Sequence, residues 1–95
     1  MVKDSEPSAS LEEAALMRRV QAEAPGAFPE LYDRFSPRIM GFLFGLSGDR
    51  ALSEDLTQET FLRAWQAAPR WQPRARLTTW LFQIAKRLWW KHRAR

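Results

Sequence analysis

The chain has 95 residues, 45% of them hydrophobic and 13% aromatic, which is enough for one domain with a single modest core. It has no cysteine, and its one histidine, His92, sits among basic residues, so a disulfide framework and a cysteine or histidine metal centre are both excluded. The net charge of +4 hides a division: residues 1–68 hold seven Lys/Arg against eleven Asp/Glu, a net −4, whereas residues 69–95 hold eight Lys/Arg and no acid, a net +8. Such polarity suggests two surfaces with different partners, one of them a polyanion. A merely solvated basic tail would account for the charge run. It would not account for the tryptophans, four of five of which lie in "WQPRARLTTWLFQIAKRLWWKHRAR", residues 71–95. No apolar run approaches the roughly 20 residues of a membrane span, and "MVKDSEPSAS" lacks a signal peptide's apolar segment. A cytoplasmic protein without membrane insertion is therefore expected.

Residues 1–9 are polar and are expected to form a disordered tail, leaving a folded domain at 10–95. In "SLEEAALMRRVQAEA", Ser10 and Glu13 form a capping box ahead of apolar residues at helical spacing, and Pro25-Gly26 is expected to end that helix. In "AFPELYDRFSPRIMGFLFGLSG", residues Phe28, Leu31, Tyr32, Phe35, Ile39, Phe42, Leu43 and Leu46 recur every three or four positions and predict a second helix. Pro29 suits its first turn, Pro37 should kink or split it, and Gly48 suits its C-cap. A third helix begins near Asp49 or Ser53 and runs to about Ala68. The loop "PRWQPRAR" follows, and a fourth helix runs from about Leu77 to the C-terminus. With no β-alternation and no hairpin signal, the fold class is all-α, a compact bundle of about four helices.

Two helix faces do not read as core. On the third helix, at about 100° per residue, Phe61, Ala64, Trp65 and Ala68 share the expected core arc. A separate arc holds Asp55, Gln58, Glu59 and Leu62 at the i, i+3, i+4, i+7 spacing usually given to a buried stripe. Carboxylates and an amide at fixed positions can accept hydrogen bonds from another helix's arginines, with a leucine as apolar anchor. An ordinary solvated face fits the same spacing. On the fourth helix, Leu77, Trp80, Leu81, Ile84 and Leu88 point inward, and Thr79, Phe82, Gln83, Lys86, Trp90 and Arg93 point outward. Aromatic rings beside cations suit unpaired bases, which stack on the rings while the cations hold phosphates. Trp89 and Trp90 point about 100° apart, and Trp89 is expected to be the more buried.

"SEDLTQETFLRAW", residues 53–65, followed by "RWQPRARLTTWLFQIAKR", residues 70–87, resembles region 2 of bacterial sigma factors, most closely the extracytoplasmic-function group. The resemblance spans roughly residues 14–95. It implies a sigma region 2 bundle, with Asp55, Gln58, Glu59 and Leu62 gripping the clamp helices of the RNA polymerase β′ subunit. It also implies that Arg70, Trp71, Gln72, Arg74, Arg76 and Thr78 capture a flipped-out non-template base of the promoter −10 element. Gln83, Lys86, Arg87 and Trp90 would then follow the upstream duplex edge and the melted strand. Arg87 stands where the family commonly has Asn, and Lys91 stands near a position commonly acidic; both changes add positive charge. An anti-sigma factor is a partner that this family often has, and no cofactor is implied. The stop at Arg95, inside a basic helix, is expected to mark a fragment lacking the family's second, −35-reading domain.

Three other classes compete. A helix-turn-helix regulator leaves the 55/58/59/62 arc unused, and "PRWQPRAR" is long for its tight turn. A basic amphipathic helix at 77–95 would suit a membrane surface or a partner groove. An enzyme fits worst, since no nucleophile–base set and no phosphate-cradling Gly loop is present.

Overall fold

The computed structural model describes residues 8–94, so the expected tail at 1–9 lies mostly outside the described residues. Among the described residues four helices run in order: α1 (Leu11–Gln21), α2 (Ala27–Ser47), α3 (Arg50–Ala67) and α4 (Leu77–Arg93). A 3₁₀ turn, Ala68–Arg70, extends the end of α3, and no strand occurs among the described residues. The all-α expectation holds.

Each boundary has a local cause. At the start of α1, Ser10 Oγ accepts from Glu13 N at 3.1 Å and Glu13 Oε1 accepts from Ser10 N at 3.3 Å, the predicted capping box. The helix stops before Pro25. Glu23 adopts φ 55°, Glu23 N donates to Val20 O, and Ala24 N donates to Arg19 O, a Schellman closure with glutamate where glycine is usual. Gly48, at φ 67°, closes α2 as predicted by donating to Phe44 O. Asp49, rather than Ser53, caps α3, accepting from Leu52 N at 3.0 Å.

Pro37 does not split α2, which is continuous across it. Proline withholds one N–H from the carbonyl of Asp33, and both residues are exposed, so water can satisfy that carbonyl. Of the predicted α2 stripe, Leu31, Phe35, Ile39 and Leu43 are buried, Phe28, Tyr32 and Phe42 are half-buried, and Leu46 is exposed. The core is completed by Leu16, Met17 and Val20 from α1, Phe61 and Ala64 from α3, and Leu77, Leu81 and Ala85 from α4.

The buried side of α3 is more polar than its sequence suggests. Ser53, Thr57 and Thr60 are buried beside Leu56 and Phe61. Their hydroxyls are satisfied within the helix: Ser53 Oγ donates to Asp49 O, Thr57 Oγ1 to Ser53 O, and Thr60 Oγ1 to Leu56 O, each at 2.7 Å. Satisfied hydroxyls of small residues can face a neighbouring helix without desolvation cost. α2 packs most extensively on α3, which in turn packs on α4.

The longest-range polar tie joins α1 to α4. The Glu13 carboxylate is only 4% exposed and receives Arg76 Nε and Nη2 at 3.1–3.3 Å and the Leu77 backbone N–H at 3.2 Å. Burial alone would raise its pKa. The hydrogen bonds from Arg76, Leu77 and Ser10, with the guanidinium's charge, outweigh burial, and the net movement is below the ordinary 4.5. A carboxylate with a depressed folded pKa contributes stability at pH values above its unfolded pKa, and that stability is lost as pH falls through the folded value. Acid unfolding followed by circular dichroism should therefore show stability falling below pH 4.5, and Glu13→Gln should lack that component while being less stable at neutral pH.

Candidate functional site

The four residues of the acid-and-amide arc fall together on the solvent side of α3. Asp55, Gln58 and Leu62 are exposed, Leu62 at 53%, and Glu59 is half-buried. The turn geometry of α3 places them there because its other side is held down by Phe61, Thr57, Ser53 and Ala64. Arg63 Nη2 lies 3.1 Å from Glu59 Oε2, a pair one turn apart that orients the carboxylate at the edge of the patch.

Trp65 is not the core residue expected from its arc. It is 38% exposed, meeting Phe28 edge-on at 5.2 Å between centroids, while Phe61 meets Tyr32 at 4.9 Å. Phe28, Tyr32, Phe61, Leu62 and Trp65 line an open groove of about 620 Å³ beside Gln58. No arc of α3 alone contains this groove, because Phe28 and Tyr32 come from α2, about thirty positions earlier in the chain.

The basic end divides differently from expectation. Trp71 is 8% exposed, its ring 6.5 Å from Trp80 in an edge contact, and it belongs to the core. The resemblance implies a base-capturing role for Trp71, but its ring is buried, where it anchors a segment that makes few backbone bonds of its own. Phe82 is likewise half-buried rather than outward, stacked on Phe42 of α2 at 4.9 Å and 29°. Arg76 is engaged by Glu13, and Thr78 is half-buried.

Arg70, Gln72, Arg74, Gln83, Lys86 and Arg87 are exposed. Trp90 is 59% exposed, with the Lys86 ammonium 5.4 Å from its ring centroid. Trp89 is the more buried of the pair, as expected, stacked against His92 at 6.2 Å with Arg93 over its ring at 6.0 Å. Between α3 and α4 lies a cleft of about 290 Å³, where Arg63, Arg70, Arg87 and Lys91 surround an apolar floor that includes Ile84 and Leu88. Single-helix periodicity misses this cleft. It brings Arg63 and Lys91, from two different helices, into one cationic surface.

Among the described residues no group of His, Cys, Asp and Glu is placed to hold a metal, and no helix is long and apolar enough to cross a membrane.

Residues 31–95 match the family model described as Sigma-70 region 2. The chain is 41% identical over 69 residues to the RNA polymerase sigma factor CarQ of Myxococcus xanthus, covering 73% of this chain and 40% of that protein. It is 35% identical over 74 residues to the ECF RNA polymerase sigma factor RpoE of Cereibacter sphaeroides, covering 76% of this chain and 41% of that protein. It is 36% identical over 86 residues to the ECF RNA polymerase sigma factor BldN of Streptomyces coelicolor, covering 86% and 33%. The chain thus spans about two-fifths or less of the length of these curated relatives. No solved structure matches it.

The contrasting burial of Phe82 and Trp90 is directly measurable. In urea unfolding, Phe82→Ala should lose about 2 kcal/mol, less than the ~3–5 of a fully enclosed phenylalanine. Trp90→Ala should stay within about 0.5 kcal/mol of wild type.

Proposed function

We propose, from the premise that this chain belongs to the sigma-70 region 2 family, that it serves transcription initiation by docking on RNA polymerase core while holding opened promoter DNA. The docking surface is the arc of Asp55, Gln58, Glu59 and Leu62, facing the β′ clamp helices. The DNA surface is formed by Arg70, Gln72 and Arg74 of the loop, with Arg76 and Thr78 at its end, and by Gln83, Lys86, Arg87 and Trp90 along α4. Trp71 enters as the anchor of the loop rather than as a stacking ring, because its side chain is buried. The strand held is the non-template strand of the −10 element, and the place of action is the cytoplasm. An anti-sigma factor would act by covering one of these two surfaces.

The observation that carries this reading is the separation of the two exposed surfaces: an acid-and-amide patch on α3, and a cationic surface with an exposed tryptophan on α4. Opening a base-pair step costs about 1.4 kcal/mol of stacking on average, and extruding a base costs a few kcal/mol. Stacking a released base on an aromatic ring returns roughly 1–3 kcal/mol. Trp90 has the exposure for one such contact, and the Lys86 ammonium beside it can meet a phosphate. Arg63, Arg70, Arg87 and Lys91 around the α3–α4 cleft add phosphate contacts next to it. These terms are of the same size, so the domain can offset local opening without fuel while the polymerase holds the rest of the duplex.

Two measurements test the reading. In a fluorescence anisotropy assay with isolated β′ clamp helices, Gln58→Ala combined with Leu62→Ala should weaken binding about tenfold or more, as expected for loss of a central anchor. Undiminished binding by a folded double variant would remove the polymerase face. Against single-stranded DNA, log affinity should fall with log salt at about −0.7 per phosphate contact, and Arg74→Ala or Lys86→Ala should each flatten the slope by about one contact. A salt-insensitive interaction, or stronger binding to duplex than to single strand, would overturn the strand-holding role.

A further inference from the structure

The loop between the 3₁₀ turn and α4 cannot set its own shape. Pro69 and Pro73 have no N–H to give, and the internal bonds are Trp71 N to Ala68 O at 3.0 Å and Arg74 N to Gln72 O at 2.8 Å. Arg76, which precedes α4, offers no side-chain cap to that helix. Both ends are tied down from elsewhere, and by the same element. Gln21, the last residue of α1, donates through Nε2 to Ala68 O at 2.9 Å and to Trp71 O at 3.1 Å. Glu13, in the first turn of α1, accepts from the Leu77 N–H and from the Arg76 guanidinium. The Glu13 carboxylate therefore serves two helix N-termini at once, closing the capping box of α1 and standing in for the missing cap of α4. It also places negative charge at the positive end of the α4 dipole. Between the two ties, the buried Trp71 ring pins the middle of the segment against Trp80.

We infer that α1 is a brace for the DNA-facing loop, and that Glu13 and Gln21 are positioning residues that hold residues 72–76 in the conformation that meets the single strand. This rests on the DNA reading above and adds to it a source for the loop's geometry. α1 contributes none of the side chains proposed to touch DNA or polymerase; Glu13 also pairs with Arg76 of the DNA surface, so the charge-neutral Gln21→Ala is the variant that reaches the strand through the loop alone. The ties are also chemically directional. Gln21 works by giving two hydrogen bonds to carbonyl oxygens, and an isosteric carboxylate in its place would face those oxygens with no donor. Glu13 works by accepting.

The test compares wild type with Gln21→Glu, Gln21→Ala, Glu13→Ala and Glu13→Gln, using a fluorescein-labelled single-stranded DNA of randomised sequence and isolated β′ clamp helices as separate probes. Hydrogen exchange at the amides of residues 72, 74, 75 and 76 reports on the loop, and near-UV circular dichroism confirms the fold. Gln21→Glu and Glu13→Ala should each weaken single-strand binding about tenfold, the loss expected when hydrogen bonds to a charged or paired group are removed. Exchange at the loop amides should quicken, with clamp-helix binding unchanged. Glu13→Gln keeps an acceptor for Leu77 N–H and should fall between. Equal single-strand binding by all variants would overturn the brace, and so would a parallel loss on both probes, which would reveal global weakening instead. If wild type itself fails to bind the single strand, the DNA reading falls and takes the positioning role with it. That outcome is distinct from a wild type that binds and variants that bind equally well.

Discussion

The position of α4 depends on one buried carboxylate. Glu13 is separated by more than sixty residues from Arg76 and Leu77, yet its hydrogen bonds set where α4 begins. The start of a helix fixes the rotation of everything after it, because each residue advances by the same angle. With Leu77 held at its N–H and its side chain buried, Leu81 and Ala85 follow into the core, and Gln83, Lys86, Arg87 and Trp90 must face solvent. A carboxylate withdrawn from water is tolerated here because each oxygen has donors to answer it. The joint thus ties the first turn of α1 to the start of the helix that carries the exposed cations.

α3 shows a second constraint, which is that one helix must serve two sides. Its inward side is built from small hydroxyl residues with satisfied bonds, together with Leu56, Phe61 and Ala64, so it packs between α2 and α4. Its outward side keeps Asp55, Gln58 and Leu62 in solvent. Packing settles which residues are free, and it also moves Trp65 outward, where with Phe28 it forms a wall of the groove next to the patch. On the proposed reading, polymerase docking uses one face of α3, while strand holding uses the loop and α4, with Arg63 of α3 joining the two. A rigid core then links them, and no moving part is required for one surface to support the other.

Much of this was legible in the chain itself. Helical periodicity located all four elements, the Ser10–Glu13 box and Gly48 marked their boundaries, and the charge division announced two surfaces. The arc of Asp55, Gln58, Glu59 and Leu62 emerged correctly as solvent-facing because a regular helix repeats its geometry residue by residue. Two aromatic side chains sit elsewhere than their arcs suggest, for the same reason. Phe82 falls on the outward arc of α4 although Phe42 covers it, and Trp65 falls on the core arc of α3 although the core closes over Phe61 instead. A ring's burial depends on which ring of another element arrives beside it, and periodicity along one helix contains no such information.

The sequence by itself determined the class of fold, the order and approximate limits of the helices, and the segregation of charge, since these follow from local propensity, spacing and capping. Only the tertiary structure decided which cations share a cleft, which rings remain open, and that α1 supplies the bonds holding the loop after α3. Those outcomes arise from contacts between residues as far apart as Glu13 and Leu77, whose meeting depends on how the helices pack rather than on any neighbour along the chain.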